Sequence, residues 1–221
     1  TVLNYYYYSL TQFILHSLIS SSKFSFYLML FLSLPIFIEI EEILRLWLKI
    51  VPEHTVNFVR IILLCSVVDI FRNPMNTAIH ATGNIKRYQL WEATTLLLII
   101  PGAYLALYCG LPIESAFMVQ LIIFVIVQIE RVFIVCPAIK MSKMQYVRDL
   151  LKPTCLVTIA SITVPFVLLL IWPLEQDNWL QFFVYILLSL TCSSVSIFYL
   201  GLSIQEKNKV LSFVHNKLRK I

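Results

Sequence analysis

Six apolar stretches, at 24–44, 56–80, 88–108, 113–135, 154–172 and 179–200, follow one another along the chain with short polar gaps between them. Each holds roughly the 20 residues that a helix needs to cross a hydrocarbon core about 30 Å thick. Lipid offers no hydrogen bonds to a peptide group, so a crossing segment must satisfy its own backbone, and a helix does this internally. The pattern predicts an all-α, polytopic membrane protein whose six-transmembrane-helix bundle occupies 23–202. Pro35, Pro74, Pro101 and Pro165 fall within or close to the spans, where neighbouring helices can satisfy the carbonyls they free.

The two ends differ in kind. Residues 1–22 carry only a weak stripe, Leu10, Phe13, Ile14 and Leu18, behind the tyrosine run 5–8. They are expected to form an interfacial segment or the end of a further helix. In the tail, 203–221, the residues Ile204, Leu211, Val214, Leu218 and Ile221 recur at helical spacing with Lys and Arg between them. That pattern predicts a basic amphipathic helix on the cytoplasmic membrane surface.

Charge adds an orientation. Lys140, Lys143, Arg148 and Lys152 share one gap, Lys86 and Arg87 another, and Lys207, Lys209, Lys217, Arg219 and Lys220 the tail. The gaps 109–112 and 173–178 hold no Lys or Arg. Retention of basic loops in the cytoplasm then predicts an even number of crossings with both termini cytoplasmic; only Arg45 and Lys49 dissent. Trp47, Tyr104, Tyr108, Trp172 and Trp179 near the outer ends fit an aromatic belt. Hydrophobic residues make up 59% of the 221 and charged ones 13%, which excludes an ordinary soluble domain, where about a quarter are charged. The net charge of +5 sits beside the membrane and faces lipid headgroups, so it does not imply a nucleic-acid partner. The five cysteines show no metal-ligand spacing and suit a role as small apolar residues. No metal or other cofactor is expected, and no signal-peptide pattern precedes the spans.

Charge inside a bilayer is expensive and marks candidate sites. Asp69, Arg72, Asn73, Asn76 and His80 lie at steps of three and four, so they share one face of the second helix. Arg60 lies on a different face of the same helix, while Gln128 and Arg131 occupy the fourth. Either this stripe lines a water-filled cavity that meets a polar or anionic substrate, or Asp69 and Arg72 form a structural pair. Arg131 is long enough to snorkel to the interface. No Ser/His/Asp set or glycine-rich phosphate loop is present, so no catalytic residue is assigned and no enzyme is expected.

Several motifs occur together in one order: Trp47-Leu48, then Val51-Pro52-Glu53-His54-Thr55, then Asn73-Pro74, then Ala81-Thr82-Gly83-Asn84-Ile85-Lys86-Arg87-Tyr88-Gln89. With Gly110-Leu111-Pro112, Arg131 and the segment from Gly201 to Glu206, they resemble the C-terminal half of bacterial polysaccharide biosynthesis proteins. These are the Wzx-like O-antigen flippases of the multidrug/oligosaccharidyl-lipid/polysaccharide exporter superfamily. The resemblance implies one lobe of a two-lobed exporter fold in the bacterial inner membrane, acting in O-antigen or capsule assembly. A cationic cavity between lobes would accept an undecaprenyl-diphosphate-linked oligosaccharide, with Arg60, Arg72 and Arg131 as diphosphate candidates. The partners implied are that lipid-linked substrate, membrane lipids, and either a missing N-terminal lobe or a second copy. The start at Thr1 without Met leads us to expect a longer protein. Lys49 departs from the small residue that the resemblance implies after Trp47-Leu48. A cation-coupled multidrug antiporter of the same superfamily and a membrane-embedded glycosyl- or acyltransferase are the competing expectations.

Overall fold

The computed structural model describes residues 2–83, 85–172, 179–204, 206–208 and 212, with side chains from residue 12 onward. The chain order is α1 (Val2–Ile38), α2 (Ile40–Leu48), α3 (Thr55–Asp69), α4 (Arg72–Thr82), α5 (Ile85–Leu97), α6 (Ile99–Tyr108), α7 (Ser115–Ala138), α8 (Lys143–Tyr146), α9 (Lys152–Ile171) and α10 (Trp179–Ser196). Wider π-helical turns follow α8 at Val147–Leu151 and α10 at Ile197–Gly201. No strand occurs among the described residues. Leu211, Val214, Leu218 and Ile221 of the expected tail helix, and the gap 173–178, lie outside them.

Five segments are long and apolar enough to cross a membrane: Gln12–Ile38, Ile85–Tyr108, Ser115–Ala138, Lys143–Ile171 and Trp179–Gly201. Their outward faces are apolar. On α9 alone Ile159, Ile162, Val164, Phe166 and Leu170 are exposed. A water-facing monomer rarely exposes such contiguous apolar surface, whereas lipid accepts it. The chain is therefore a multi-pass membrane protein. The helix expected from 24 begins instead at Val2, so the weak stripe of the first 22 residues runs without interruption into the span.

The segment expected to cross at 56–80 is divided. Pro74 has no N–H to give the carbonyl of Ile70, four residues earlier, and its ring crowds that carbonyl. The helix stops at Asp69 and restarts at Arg72, with Ile70 and Phe71 as a turn between. Pro153 acts similarly in the first turn of α9: it has no N–H for the carbonyl of Asp149, and the backbone widens just before it at Val147–Leu151.

Two helices organise the packing. α1 touches α3, α4, α9 and α10, while α7 touches α3, α4, α5 and α6. Between them lies a core of Tyr27, Leu30, Met75, Ile79, Val135 and Leu150. Phe26 of α1 stacks on Phe71 at the turn between α3 and α4, with centroids 5.5 Å apart and planes within 11°. The α9–α10 contact uses small side chains instead: Ser161, Ser189 and Ser193 are all fully buried. Small residues let backbones approach closely where no hydrophobic force drives helices together.

At the opposite end of α1, Glu39 marks a bend into α2, and α2 closes on an unusual turn. The Leu48 carbonyl accepts the Ile50 N–H at 2.6 Å, holding Lys49 at φ 59° and ψ −49°. A Cβ is unfavourable there by about 1–2 kcal/mol. Lys49→Gly is therefore expected to raise stability by about 0.5–1 kcal/mol, once glycine's greater freedom in the unfolded chain is subtracted. Chemical unfolding in mixed micelles measures this; an unchanged or lower midpoint would show that the turn carries no strain. The position is the one where the sequence departs from the small residue implied by resemblance.

Candidate functional site

Breaking a helix at Ile70–Phe71 has an electrostatic result. Asp69 becomes the last residue of α3 and Arg72 the first of α4. Each charge then sits at the less favourable pole of its own helix, an acid at a C-terminus and a base at an N-terminus. Both require counter-charges from elsewhere in the bundle.

Those come from α5 and α7. Arg131 of α7 donates from Nη1 to Asp69 Oδ1 at 2.9 Å and from Nη2 to Glu92 Oε1 at 2.8 Å. Arg72 places Nε 3.0 Å from the same Glu92 oxygen and Nη1 3.9 Å from Asp69 Oδ2. Two guanidiniums and two carboxylates thus close a ring whose formal charges cancel. Side-chain exposure grades across it: Arg131 2%, Glu92 8%, Asp69 27% and Arg72 43%. The ring is sealed on the α5–α7 side and open on the α4 side.

A polar shell extends the ring inward. Gln128 Oε1 accepts a bond from Arg131 Nη1 at 3.1 Å, and Gln128 Nε2 donates to the Tyr146 hydroxyl at 3.3 Å. Tyr88 donates to Asn76 Oδ1 at 2.5 Å, and Thr95 donates to both Glu130 oxygens at 2.9 and 3.0 Å. One atom is left over: Arg131 Nε is buried with no partner.

Of the residues singled out from sequence, the structure brings Asp69, Arg72, Asn76, Gln128 and Arg131 into this ring and its shell. Asn73 and His80 are exposed on α4 and add no side-chain bond to it. Arg60 belongs elsewhere, with Nη2 3.3 Å from Glu41 Oε1 of α2. Arg131 does not snorkel. Two acids draw it inward, because a buried carboxylate without a counter-charge costs more than the desolvation of a paired guanidinium.

Glu92 is the member that sequence reasoning missed. It was counted as part of an apolar stretch, yet Tyr88, Glu92 and Thr95 fall at steps of four and three and are buried together on α5. A lone acid on a face shared with Tyr and Thr, inside a span, was the available signal.

The ring can hold four helices, α3, α4, α5 and α7, together across the break and can present one half-exposed guanidinium to a ligand. It offers no nucleophile–base pair. Among the described residues no group of three or more His, Cys, Asp or Glu side chains is placed to hold a metal ion. Compared with known proteins, the chain matches no family model, no curated protein and no solved structure.

Proposed function

We propose that the chain is one lobe of a bacterial inner-membrane transporter that flips undecaprenyl-diphosphate-linked oligosaccharide units for surface polysaccharide assembly. It acts without covalent chemistry, beside a companion lobe or a second copy, with both termini cytoplasmic and α3–α4 as the sixth crossing. The observation that carries this reading is Arg72. Its side chain is 43% exposed although it stands at a helix break inside the bundle. Its neighbours in the ring hold its charge in place, and its outer edge is left for a second anion. A diphosphate suits that edge because charge-assisted bonds to phosphate oxygens are short and strong. Asn73, exposed beside it, and Asn76 are the contacts for sugar or water, whereas Arg131 and Gln128 act by positioning. The order of motifs resembling Wzx-like proteins supports the same substrate class.

Reconstitution with the companion lobe in proteoliposomes tests the reading. Arg72→Ala should slow translocation of the lipid-linked oligosaccharide about 10–100-fold, the equivalent of one charged hydrogen bond of about 1.5–3 kcal/mol. Arg72→Lys should retain an intermediate rate, since it keeps the charge but loses the planar fork. Wild-type translocation by a folded Arg72→Ala variant would end the proposal.

One observation favours the cation-coupled antiporter as a second reading. Glu39, at the bend between α1 and α2, is 1% exposed, and its Oε1 has no hydrogen-bond partner. A proton or Na⁺ would satisfy it. Drug resistance that is conferred by the chain and lost in Glu39→Gln would move the assignment to that reading.

A further inference from the structure

A cleft of about 650 Å³ opens between α3 and α9, with α1 as its floor. Its volume falls within the range of ordinary ligand pockets, about 300–1,000 Å³. Leu34 and Phe37 of α1, Leu64 and Val67 of α3, and Ile162 and Phe166 of α9 line it. Arg60 is the one charged residue among the lining residues.

The polarity of the cleft runs along the helices. Arg60 is five positions into α3, about 7 Å from the first residue at 1.5 Å per residue. From Arg60 to Val67 the α3 wall continues about 10 Å further into the apolar region. A cation therefore stands at headgroup depth, and an apolar channel descends from it toward the middle of the bilayer. That is the distribution of charge and carbon in an anionic lipid.

Arg60 is not fully committed. Its bond to Glu41 is 3.3 Å long, and both side chains are partly in water, 35% and 55% exposed. An exposed pair of this kind contributes little and gives way readily to a better anion.

We infer that this cleft binds one tail of an anionic glycerophospholipid from the surrounding bilayer, with Arg60 on the phosphodiester. The lining selects this occupant. Arg60 supplies the cation for a phosphate, and the cleft below it is mostly apolar and suits an acyl tail. Among the described residues no Asn or Gln lines it to receive the sugars of a lipid-linked oligosaccharide, whereas Arg72 has Asn73 and Asn76 on its own helix. The site is separate from the Arg72 ring and stands or falls independently of the transport reading.

Phosphatidylglycerol carrying a photoreactive group in one tail is the probe, with the full chain in detergent micelles and the labelled peptides mapped by mass spectrometry. Labelling is expected on the lining segments of α1, α3 and α9, falling about fivefold in Arg60→Ala, the effect of one basic residue near an anionic lipid. Leu64→Trp, which fills the cleft and keeps Arg60, should lose labelling to a similar degree; Arg60→Lys should keep most of it. Unlabelled phosphatidylglycerol should displace the probe at lower concentration than phosphatidylcholine. Undiminished labelling in both Arg60→Ala and Leu64→Trp overturns the inference, as does equal competition by the two lipids. Displacement by a polyprenyl diphosphate at lower concentration than phosphatidylglycerol also overturns it, because the occupant would then be the diphosphate lipid. Should Arg60→Ala fail to fold, Leu64→Trp and the competition series decide the matter.

Discussion

Arg131→Met is expected to destabilise the protein by about 3–5 kcal/mol, a large share of the roughly 5–15 kcal/mol that keeps a domain folded. The side chain is removed from between Asp69 and Glu92, which it reaches at 2.9 and 2.8 Å. Both carboxylates then remain inside the bundle with only Arg72, itself 43% exposed, to balance them. Most of the loss is the penalty of stranding those acids, since a buried pair adds little over a well-packed apolar replacement. A second measurement isolates this cause. Replacing all four members together, Arg131→Met with Asp69→Asn, Arg72→Met and Glu92→Gln, should recover much of the lost stability. Denaturant titration in lipid–detergent micelles reads both variants. A single Arg131→Met variant as stable as the wild type would show that the ring does not hold the helices together.

Gly201→Leu should cost about 3 kcal/mol, at the upper end of the range for overpacking a core. Gly201 ends the π-helical turn after α10, and a Cβ built there would lie 2.7 Å from Tyr27 Cζ and 2.9 Å from both Cε2 and the hydroxyl. The Tyr27 ring is 3% exposed and has nowhere to go. Its hydroxyl also donates to the Gly201 carbonyl at 3.0 Å, which fixes the ring over the glycine. Leucine is otherwise a better helix former than glycine by close to 1 kcal/mol, so any net loss must come from the contact. The double variant with Tyr27→Ala supplies the room and should be more stable than the two single losses predict. Strict additivity in that cycle would mean that the two residues do not touch.

Much of this fold was legible in the run lengths of apolar residues, because lipid leaves a crossing segment little choice but helix. What was not legible has specific causes. The interruption at Ile70–Phe71 follows from Pro74, but whether a proline kinks or divides a span depends on what neighbouring helices offer its freed carbonyl. The extension of α1 back to Val2 was obscured by the Gln, His and Ser residues between 11 and 22, which weaken the apolar signal without opposing helix formation. Within the site, Asp69 and Arg72 were visible as a local pair at a spacing of three. Their heavier partners were not. Arg131 is 62 residues from Asp69 and 39 from Glu92, and no local periodicity relates positions so far apart. Nor does sequence tell a snorkelling arginine from a buried one; the difference lies in whether an acid waits on the inner side.

The ring also has a history within each molecule. Asp69, Arg72 and Glu92 leave the ribosome before Arg131, and until it arrives they carry one uncompensated negative charge. The interval is the synthesis of 39 residues, about 2–8 s at ordinary elongation rates. During that time the ring holds two acids, Asp69 and Glu92, against one base, Arg72, which disfavours free dispersal of α3, α4 and α5 into lipid. The arrival of α7 is therefore expected to set when α3, α4 and α5 can settle into lipid, and a pause in translation between Glu92 and Arg131 should lengthen the interval in which the ring is unbalanced.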